Sequence, residues 1–339
     1  SMTSKLSSSR VRQTLRWMMR FPHRDNKKRA RAAAAVLVAG HLAPELRRRG
    51  IRYVHAHFAG FQTEIAMSLS RLLDIPYGCT WHAYGIYKDR NILRDKVAGA
   101  RVLLTCTRHN VEHLRELCPN EAERIHLDYH GLDLSRFAEA AAVVVEESER
   151  PVILAVGRLI PKKGFSHLIR AAALLKKAGQ PFEIRIIGEG PERGATESLV
   201  RELGLQDEVS LLGAQPNAEV FRQMAGARLV AVPSVVTAEG DMDGIPNVAL
   251  EAMGFGKSVV GSRISGIPEV VIPGETGFLT EPGNEQALAE RLGALLADPA
   301  LAEALGTRGR ALIFERFDVR ANVRRVIGHV EAAASGSTE

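Results

Sequence analysis

Glu239-Gly-Asp-Met-Asp-Gly-Ile-Pro-Asn-Val-Ala-Leu-Glu251, continued by Ala-Met-Gly-Phe-Gly256, is the stretch from which the fold can be read. Gly244 loosens the backbone, and Pro246 suits the first position of a helix, where a missing N–H is no loss. The amide groups of Asn247 and Val248 then open a helix without intrahelical acceptors, and such ends attract phosphate. Glu251 comes four residues after Asn247, one turn deeper on the same face. Its carboxylate is placed to accept two hydroxyl hydrogens from a ribose, and Asp243 projects into the same space from ahead of the helix. A phosphate seat flanked by two hydroxyl-binding carboxylates suits a nucleotide sugar.

Strands and helices alternate outward from this stretch. Strands are expected at 152–156, 183–187, 209–212, 229–232 and 258–261, with helices at 166–178, 192–203, 218–224 and 285–297 between and after them. Such alternation implies parallel strands with helical crossovers and a doubly wound domain. The first half alternates too, with strands at 53–58, 77–80 and 102–106 and helices at 62–73, 91–98 and 110–117, yet it is short. Ahead of it a helix is expected over 29–49, with a strand over 33–39 as the alternative. Residues 139–150 have the composition of a linker, and two helices, 300–314 and 319–331, precede a polar tail. The expected organisation is a basic helical segment over 1–50, an incomplete Rossmann-like domain over 51–145, a complete one over 151–315, a helix over 316–332 and a tail over 333–339.

A chain of 339 residues with 45% hydrophobic content can build two cores of ordinary size. No apolar run reaches the roughly 18 residues that span a bilayer, and the start lacks a signal-peptide core, so the cytoplasm is expected. Cys79, Cys106 and Cys118 are odd in number and lack metal-ligand spacing; they are expected reduced and structural. The net charge of +6 is uneven: residues 1–52 hold fourteen Lys and Arg against Asp25 and Glu45. Basic and apolar residues interleave over 11–20, as in helices on anionic membranes, so residues 5–31 are a candidate membrane contact beside the plainer reading of a solvated basic helix or arm. Nucleic acid is not expected, because only Trp17 and Phe21 could stack there and no binding motif is present.

In a parallel sheet, ligands sit beyond the carboxyl ends of the strands. Gly157-Arg-Leu-Ile-Pro-Lys-Lys-Gly164, Gly188-Glu-Gly190, Gly213-Ala-Gln215 and Pro233-Ser234 all follow expected strands there. Arg158 and Lys163 supply cations suited to a diphosphate whose charge grows as it leaves. Asp241-Met-Asp243 also has the D-x-D spacing used to hold Mg or Mn, but the two cations already do that electrostatic task, so neither metal nor other cofactor is expected. His55 and His57 alternate on one strand; hydrogen-bonded histidines are favoured over a metal pair. His82, in a Thr-x-His loop at a strand end, is a site candidate. Glu239, Gly266 and Glu269 are candidates whose plain alternatives are a solvated acid and a structural turn.

Residues from about Pro151 to Arg325 resemble the second domain of family 4 retaining glycosyltransferases of the GT-B fold. The resemblance runs through Val-Gly-Arg158-Leu-Ile-Pro-Lys-Lys163-Gly, Ile-Gly-Glu-Gly190-Pro, Pro-Ser234 and Gly-Ile-Pro-Asn-Val-Ala-Leu-Glu251-Ala-Met. It reaches the first half at His55-Ala-His57-Phe, Thr80-Trp-His82-Ala-Tyr and His130-Gly-Leu-Asp133-Leu-Ser-Arg-Phe, and is strongest with the branch that builds bacterial surface polysaccharides. It implies two doubly wound Rossmann-like domains facing across a cleft, the first on the acceptor side and shortened at its front. Arg158 and Lys163 would neutralise the leaving diphosphate, His82 would approach the donor sugar and phosphate, and Glu251 would bind ribose. Gly157, Gly188, Gly190, Ala214, Gly244, Ile245, Asn247 and Val248 would complete the donor site, with base contacts largely through backbone near Gly188 and Ala214. The family pairs two glutamates as E-x7-E; here Asp243 stands in the first place, one methylene shorter. Gly85 stands where the family often has an acid.

The implied reaction moves a hexosyl residue from a GDP- or UDP-sugar to a saccharide or lipid-linked saccharide. The acceptor hydroxyl attacks the face the diphosphate leaves and passes its proton to a phosphate oxygen, with retention and no protein base. Asp243 and the short front also fit another class: a subunit or impaired homologue that binds nucleotide sugar without efficient transfer.

Overall fold

The computed structural model describes residues 8–140 and 148–335. Residues 1–7, 141–147 of the expected linker and 336–339 of the expected tail lie outside the described residues. The chain divides into two compact units, one holding the residues up to Tyr129 together with those from Asn322 on, the other running His130–Ala321.

The first unit contains α1 (Ser8–Met18), α2 (Asn26–Arg48), β1 (Val54–His57), α3 (Phe61–Leu73), β2 (Tyr77–Trp81), α4 (Leu93–Gly99), β3 (Val102–Thr105), α5 (Arg108–Leu117) and β4 (Ile125–Leu127). Its sheet is parallel in the order β1-β2-β3-β4. β3 is buried at every residue, with apolar Val102, Leu103 and Leu104 before Thr105, as a parallel strand covered on both faces should be. The strand alternative over 33–39 is not formed. Asp25 caps α2 by accepting from Lys28 N, and the alanine-rich run behind it favours helix. β4 and a π-helical turn at Tyr84–Lys88 were not expected; three residues are too few to show a period.

The basic segment belongs to this unit's core rather than standing apart. Met18, Ala32 and Val36 are fully buried, in a cluster with Met67, Cys79 and Trp81. Two of its charges are structural. Arg31 pairs with Glu64 at 2.7 Å and Asp89 at 2.6 Å, and Lys28 pairs with Asp89 at 2.8 Å. Lys96, wholly buried, reaches Glu64 at 3.0 Å and donates to Ala59 O at 2.6 Å. Burial opposes the charge on Glu64, but hydrogen bonds from Arg31 and Asn91 and the charge of Lys96 outweigh it and hold the carboxyl below its ordinary range.

The second unit contains α6 (Ser135–Ala140), β5 (Val152–Val156), α7 (Phe165–Lys177), β6 (Glu183–Ile187), α8 (Arg193–Glu202), β7 (Val209–Gly213), α9 (Asn217–Gly226), β8 (Leu229–Val232), α10 (Asn247–Gly254), β9 (Ser258–Ser262), β10 (Gly277–Thr280), α11 (Glu285–Ala297) and α12 (Pro299–Arg316). A final helix, α13 (Val319–Ser335), begins here, and its residues from Asn322 on belong to the first unit. All neighbours in the sheet are parallel, in the order β10-β9-β8-β5-β6-β7. The order reverses at β5, with β6 on one side and β8 on the other, and such a switch point opens a crevice at the carboxyl ends of these two strands. The Val-Ile-Leu-Ala-Val run of β5 is buried in its first four residues. Leu168, Ile169 and Leu175 of α7 and Leu288, Leu292 and Leu295 of α11 share its core cluster. β10 was not expected.

Removing Glu64 strands a buried ammonium. Glu64→Ala should lower the unfolding free energy by about 3–5 kcal/mol, measured by urea denaturation. A loss under about 1 kcal/mol would mean that the network does not hold the basic segment to the sheet.

Candidate functional site

At the carboxyl edge of the second sheet, three loops touch through their backbones. Gly188 follows β6 with φ +144°, and a Cβ on it would stand 1.9 Å from Gly157 O. A Cβ on Gly190 would meet Leu159 O at 2.4 Å, and one on Gly164, at φ +63°, would meet Pro233 O at 2.0 Å. Only glycine permits these approaches. They bring the loops after β5, β6 and β8 together at the switch point.

Side chains then join the first of these loops to the third. Lys163, in a 3-10 turn at Pro161–Lys163, runs over Gly157, and its Nζ pairs with Asp243 Oδ2 at 2.8 Å. Ser234 Oγ donates to the same oxygen at 3.1 Å. Lys162 pairs with Asp241 at 3.1 Å and stands 3.5 Å from the other oxygen of Asp243. Val235 N donates to Lys162 O at 2.8 Å, fixing the two loops by backbone as well. The carboxylate of Asp243, expected to project into the donor space, is engaged by two ammonium groups and a hydroxyl. The D-x-D acids each face a lysine, so a divalent ion would have to displace ammonium groups to bind there. Arg158 lies in the same loop as Lys163, exposed, and nothing pairs with its guanidinium among the described residues.

Helix α10 starts one residue later than expected. Pro246 has φ −64° and ψ 132°, extended rather than helical, and helical geometry begins at Asn247. No side chain caps this end. The first backbone bond is Ala249 N to Pro246 O, and among the described residues the amides of Asn247 and Val248 have no acceptor. One turn in, Glu251 is half-buried, and no donor among the described residues reaches its carboxylate. Burial raises its pKa, with the charge of Arg136 opposing; that guanidinium lies 4.7 Å from the ring of Phe221.

The other expected donor residues fall on the same sheet edge. Gly188 N donates to Gly213 O at 2.8 Å across a register shift, which places exposed Ala214 directly beyond β7. Gly244 and Ile245 connect Asp243 to α10. The structure thus gathers Gly157, Arg158, Lys163, Gly188, Gly190, Ala214, Asp243, Gly244, Ile245, Asn247, Val248 and Glu251 beyond β5, β6, β7 and β8. Sequence reasoning assigned no role to Lys162, placed Ser234 only in a strand-end motif, and weighed Asp241 only as one half of a D-x-D metal spacing. It also passed over Ser265, beyond β9, with φ +47° and a buried hydroxyl lacking a partner among the described residues. Strain of that kind leaves no mark in a sequence. Glu239 is exposed, while Gly266 and Glu269 bound a 3-10 turn.

In the first unit, His82 follows β2. Its carbonyl accepts from Gly85 N and Ile86 N, its Nδ1 lies 3.8 Å from Cys106 Sγ, and its ring centroid lies 4.7 Å from that of Phe58, the rings tilted by 57°. A side chain at Gly85 would meet Ala59 Cβ at 2.8 Å, so an acid has no room there. His55 is tied on both nitrogens, to Tyr53 Oη at 2.9 Å and Thr80 Oγ1 at 2.8 Å, and burial lowers its pKa to about 4. It is a neutral hydrogen-bonded histidine.

Comparison with known proteins follows the same division. The profile of the family described as "Glycosyl transferases group 1" matches residues 137–312. A putative colanic acid biosynthesis glycosyltransferase, WcaL, of Salmonella typhimurium is 34% identical over 211 residues, 62% of this chain and 51% of that protein. The amylovoran biosynthesis glycosyltransferase AmsK of Erwinia amylovora is 37% identical over 51% of this chain and 41% of its own. The chain spans about half the length of the curated relatives it matches. Among solved structures, a sucrose-phosphate synthase from Thermosynechococcus elongatus superposes with TM-score 0.75 over 89% of this chain and 78% of its own, at 24% identity. HepE of Anabaena in complex with UDP gives TM-score 0.72 over 88% and 82%, at 20% identity. These likenesses carry the two-domain α/β fold.

Proposed function

Because the chain belongs to the group 1 glycosyl transferases and has their GT-B fold, we propose that it moves a hexosyl residue from a GDP- or UDP-sugar to a saccharide or lipid-linked saccharide acceptor in surface polysaccharide synthesis. The observation that carries the reading is the uncapped start of α10, with unpartnered Glu251 one turn inside it and Lys163 across the crevice on Asp243. Phosphate oxygens suit the amides of Asn247 and Val248, and ribose hydroxyls suit Glu251. The relatives named for colanic acid and amylovoran biosynthesis support the acceptor class.

In this reading Lys163 changes partner. Without donor its charge is balanced by Asp243; with donor it turns to the diphosphate, where Arg158 adds a second cation. Asp243 is then released to a sugar hydroxyl, while Lys162 stays beside it to balance its charge. As the anomeric bond breaks, negative charge on the diphosphate grows against Lys163, Arg158 and the helix amides, which is where fixed positive charge lowers the barrier most. The acceptor hydroxyl attacks from the leaving-group face and gives its proton to a phosphate oxygen, so configuration is retained and no protein base acts. His82 is assigned to the sugar and phosphate. The lysines on Asp241 and Asp243 favour a reaction without a divalent ion.

No helix among the described residues is long and apolar enough to cross a membrane. The apolar side of α1 packs into the first unit, through Thr14 and Met18. What remains for an anionic surface is the exposed row Arg12, Arg16 and Arg20, together with Leu37, Val38 and Leu42 of α2. Contact with the inner face of a membrane rests on these residues.

A donor-hydrolysis and transfer screen over UDP- and GDP-sugars, run with EDTA, tests the reading. One donor should be turned over, and Lys163→Ala should lower kcat by about 100-fold while donor KM changes only a few-fold. Binding of a sugar nucleotide without hydrolysis or transfer would instead establish a non-catalytic subunit, and loss of turnover in EDTA would establish a metal requirement. Ribose binding needs Glu251 ionised. Since burial raises its pKa, donor affinity should begin to fall, as pH is lowered, above the ordinary glutamate value of about 4.3, and Glu251→Gln should abolish that pH dependence.

A further inference from the structure

A cavity of ≈ 540 Å³ lies at the amino edge of the second unit's sheet, opposite the donor loops. Ala227 and Arg228 immediately precede β8, and Gly256 and Lys257 immediately precede β9, so it sits at the amino ends of strands whose carboxyl ends carry the donor loops. Its charged lining is Arg228, Lys257, Arg310 and Glu303. Three cations thus face one acid, and among the described residues none of the three forms an ion pair.

The imbalance extends below the surface. Arg228 Nη1 is buried with no acceptor among the described residues, and Ser258 Oγ, whose residue lies opposite Leu229 in the β8–β9 ladder, is likewise buried without a partner among them. Burial and then the like charge of Arg228 lower the pKa of Lys257, with Glu303 offsetting them only in part. Arg310 lies 5.0 Å from the ring of Phe314, so its guanidinium is held by an aromatic face and not by a carboxylate. Pro299 brings in the first turn of α12, whose amino end is already capped by Asp298, accepting from Leu301 N at 2.9 Å, so the positive charge of the lining comes from its side chains alone. The wall is built closely: a Cβ on Gly306 of α12 would meet Gly256 O at 1.9 Å. A pocket whose lining sets three cations against one acid is complementary to a multiply charged oxyanion.

We propose that this rear cavity binds a phosphate-bearing ligand through Arg228, Lys257 and Arg310, separately from the donor site. Helix α10 runs between the two edges: its amino end carries the phosphate seat and its carboxyl end leads into Phe255, Gly256 and Lys257 at the cavity. The inference does not rest on the glycosyl-transfer reading.

The test uses potassium phosphate against potassium chloride at constant ionic strength, followed by thermal unfolding and calorimetry. To remove the donor-side cations, it is run on Arg158→Ala/Lys163→Ala as well as on the unaltered chain. Phosphate should raise the Tm of both saturably, and Arg310→Gln, at an exposed position that folding tolerates, should weaken binding about tenfold or more. Lys257→Met should do the same. A parallel sedimentation arm uses phosphatidylglycerol against phosphatidylcholine vesicles. Binding to the anionic vesicles that Arg310→Gln removes, without a response to free phosphate, assigns the phosphate to a lipid headgroup at this site. The proposal is overturned if neither arm gives saturable binding, or if binding is indifferent to Arg310→Gln and Lys257→Met.

Discussion

Backbone-to-backbone contact at the switch point is the constraint on which the donor edge depends. Gly188 rests on Gly157 O, Gly190 on Leu159 O and Gly164 on Pro233 O, each at a separation that a Cβ would forbid. Loops far apart in sequence are thereby brought within reach of one lysine side chain. The Lys163–Asp243 pair follows from that proximity, and so does the bond from Val235 N to Lys162 O. Without the glycines, the same lysines and aspartates would be solvated loop charges of little consequence.

Much of the second unit could be read from residue pattern. β5, β6, β8 and α11 have the expected bounds, because continuous apolar strands and an Asn284-capped helix announce themselves locally. β4 and β10 did not, being three and four residues long and held by parallel neighbours rather than by any period of their own. The donor residues were legible as a group since each follows a strand at its carboxyl end. Their pairing was not legible: Lys163 and Asp243 are 80 positions apart, and which acid a lysine meets is decided by tertiary approach. Gly85 shows the same limit from the other side, since the missing acid has a steric cause in Ala59.

The basic front of the chain also changes meaning in three dimensions. Read by composition, it is a charged face. Folded, Lys28 and Arg31 are spent on Asp89 and buried Glu64, and Met18, Ala32 and Val36 complete the first unit's core. Net positive charge therefore divides into a structural part, an exposed row on α1, and the separate cluster at the rear of the second sheet. In that last cluster Arg228, Lys257 and Arg310 meet no carboxylate at ion-pair distance among the described residues, with Glu303 the one acid of the lining.

The central claim is that Asp243 holds Lys163 when no donor is bound and yields it to a diphosphate. Calorimetric titration of UDP and GDP into the unaltered chain and Asp243→Asn tests this most directly. The substitution keeps the shape and the Ser234 contact but removes the competing charge, so nucleoside diphosphate should bind more tightly, by up to about tenfold. Equal or weaker binding to Asp243→Asn would contradict the account.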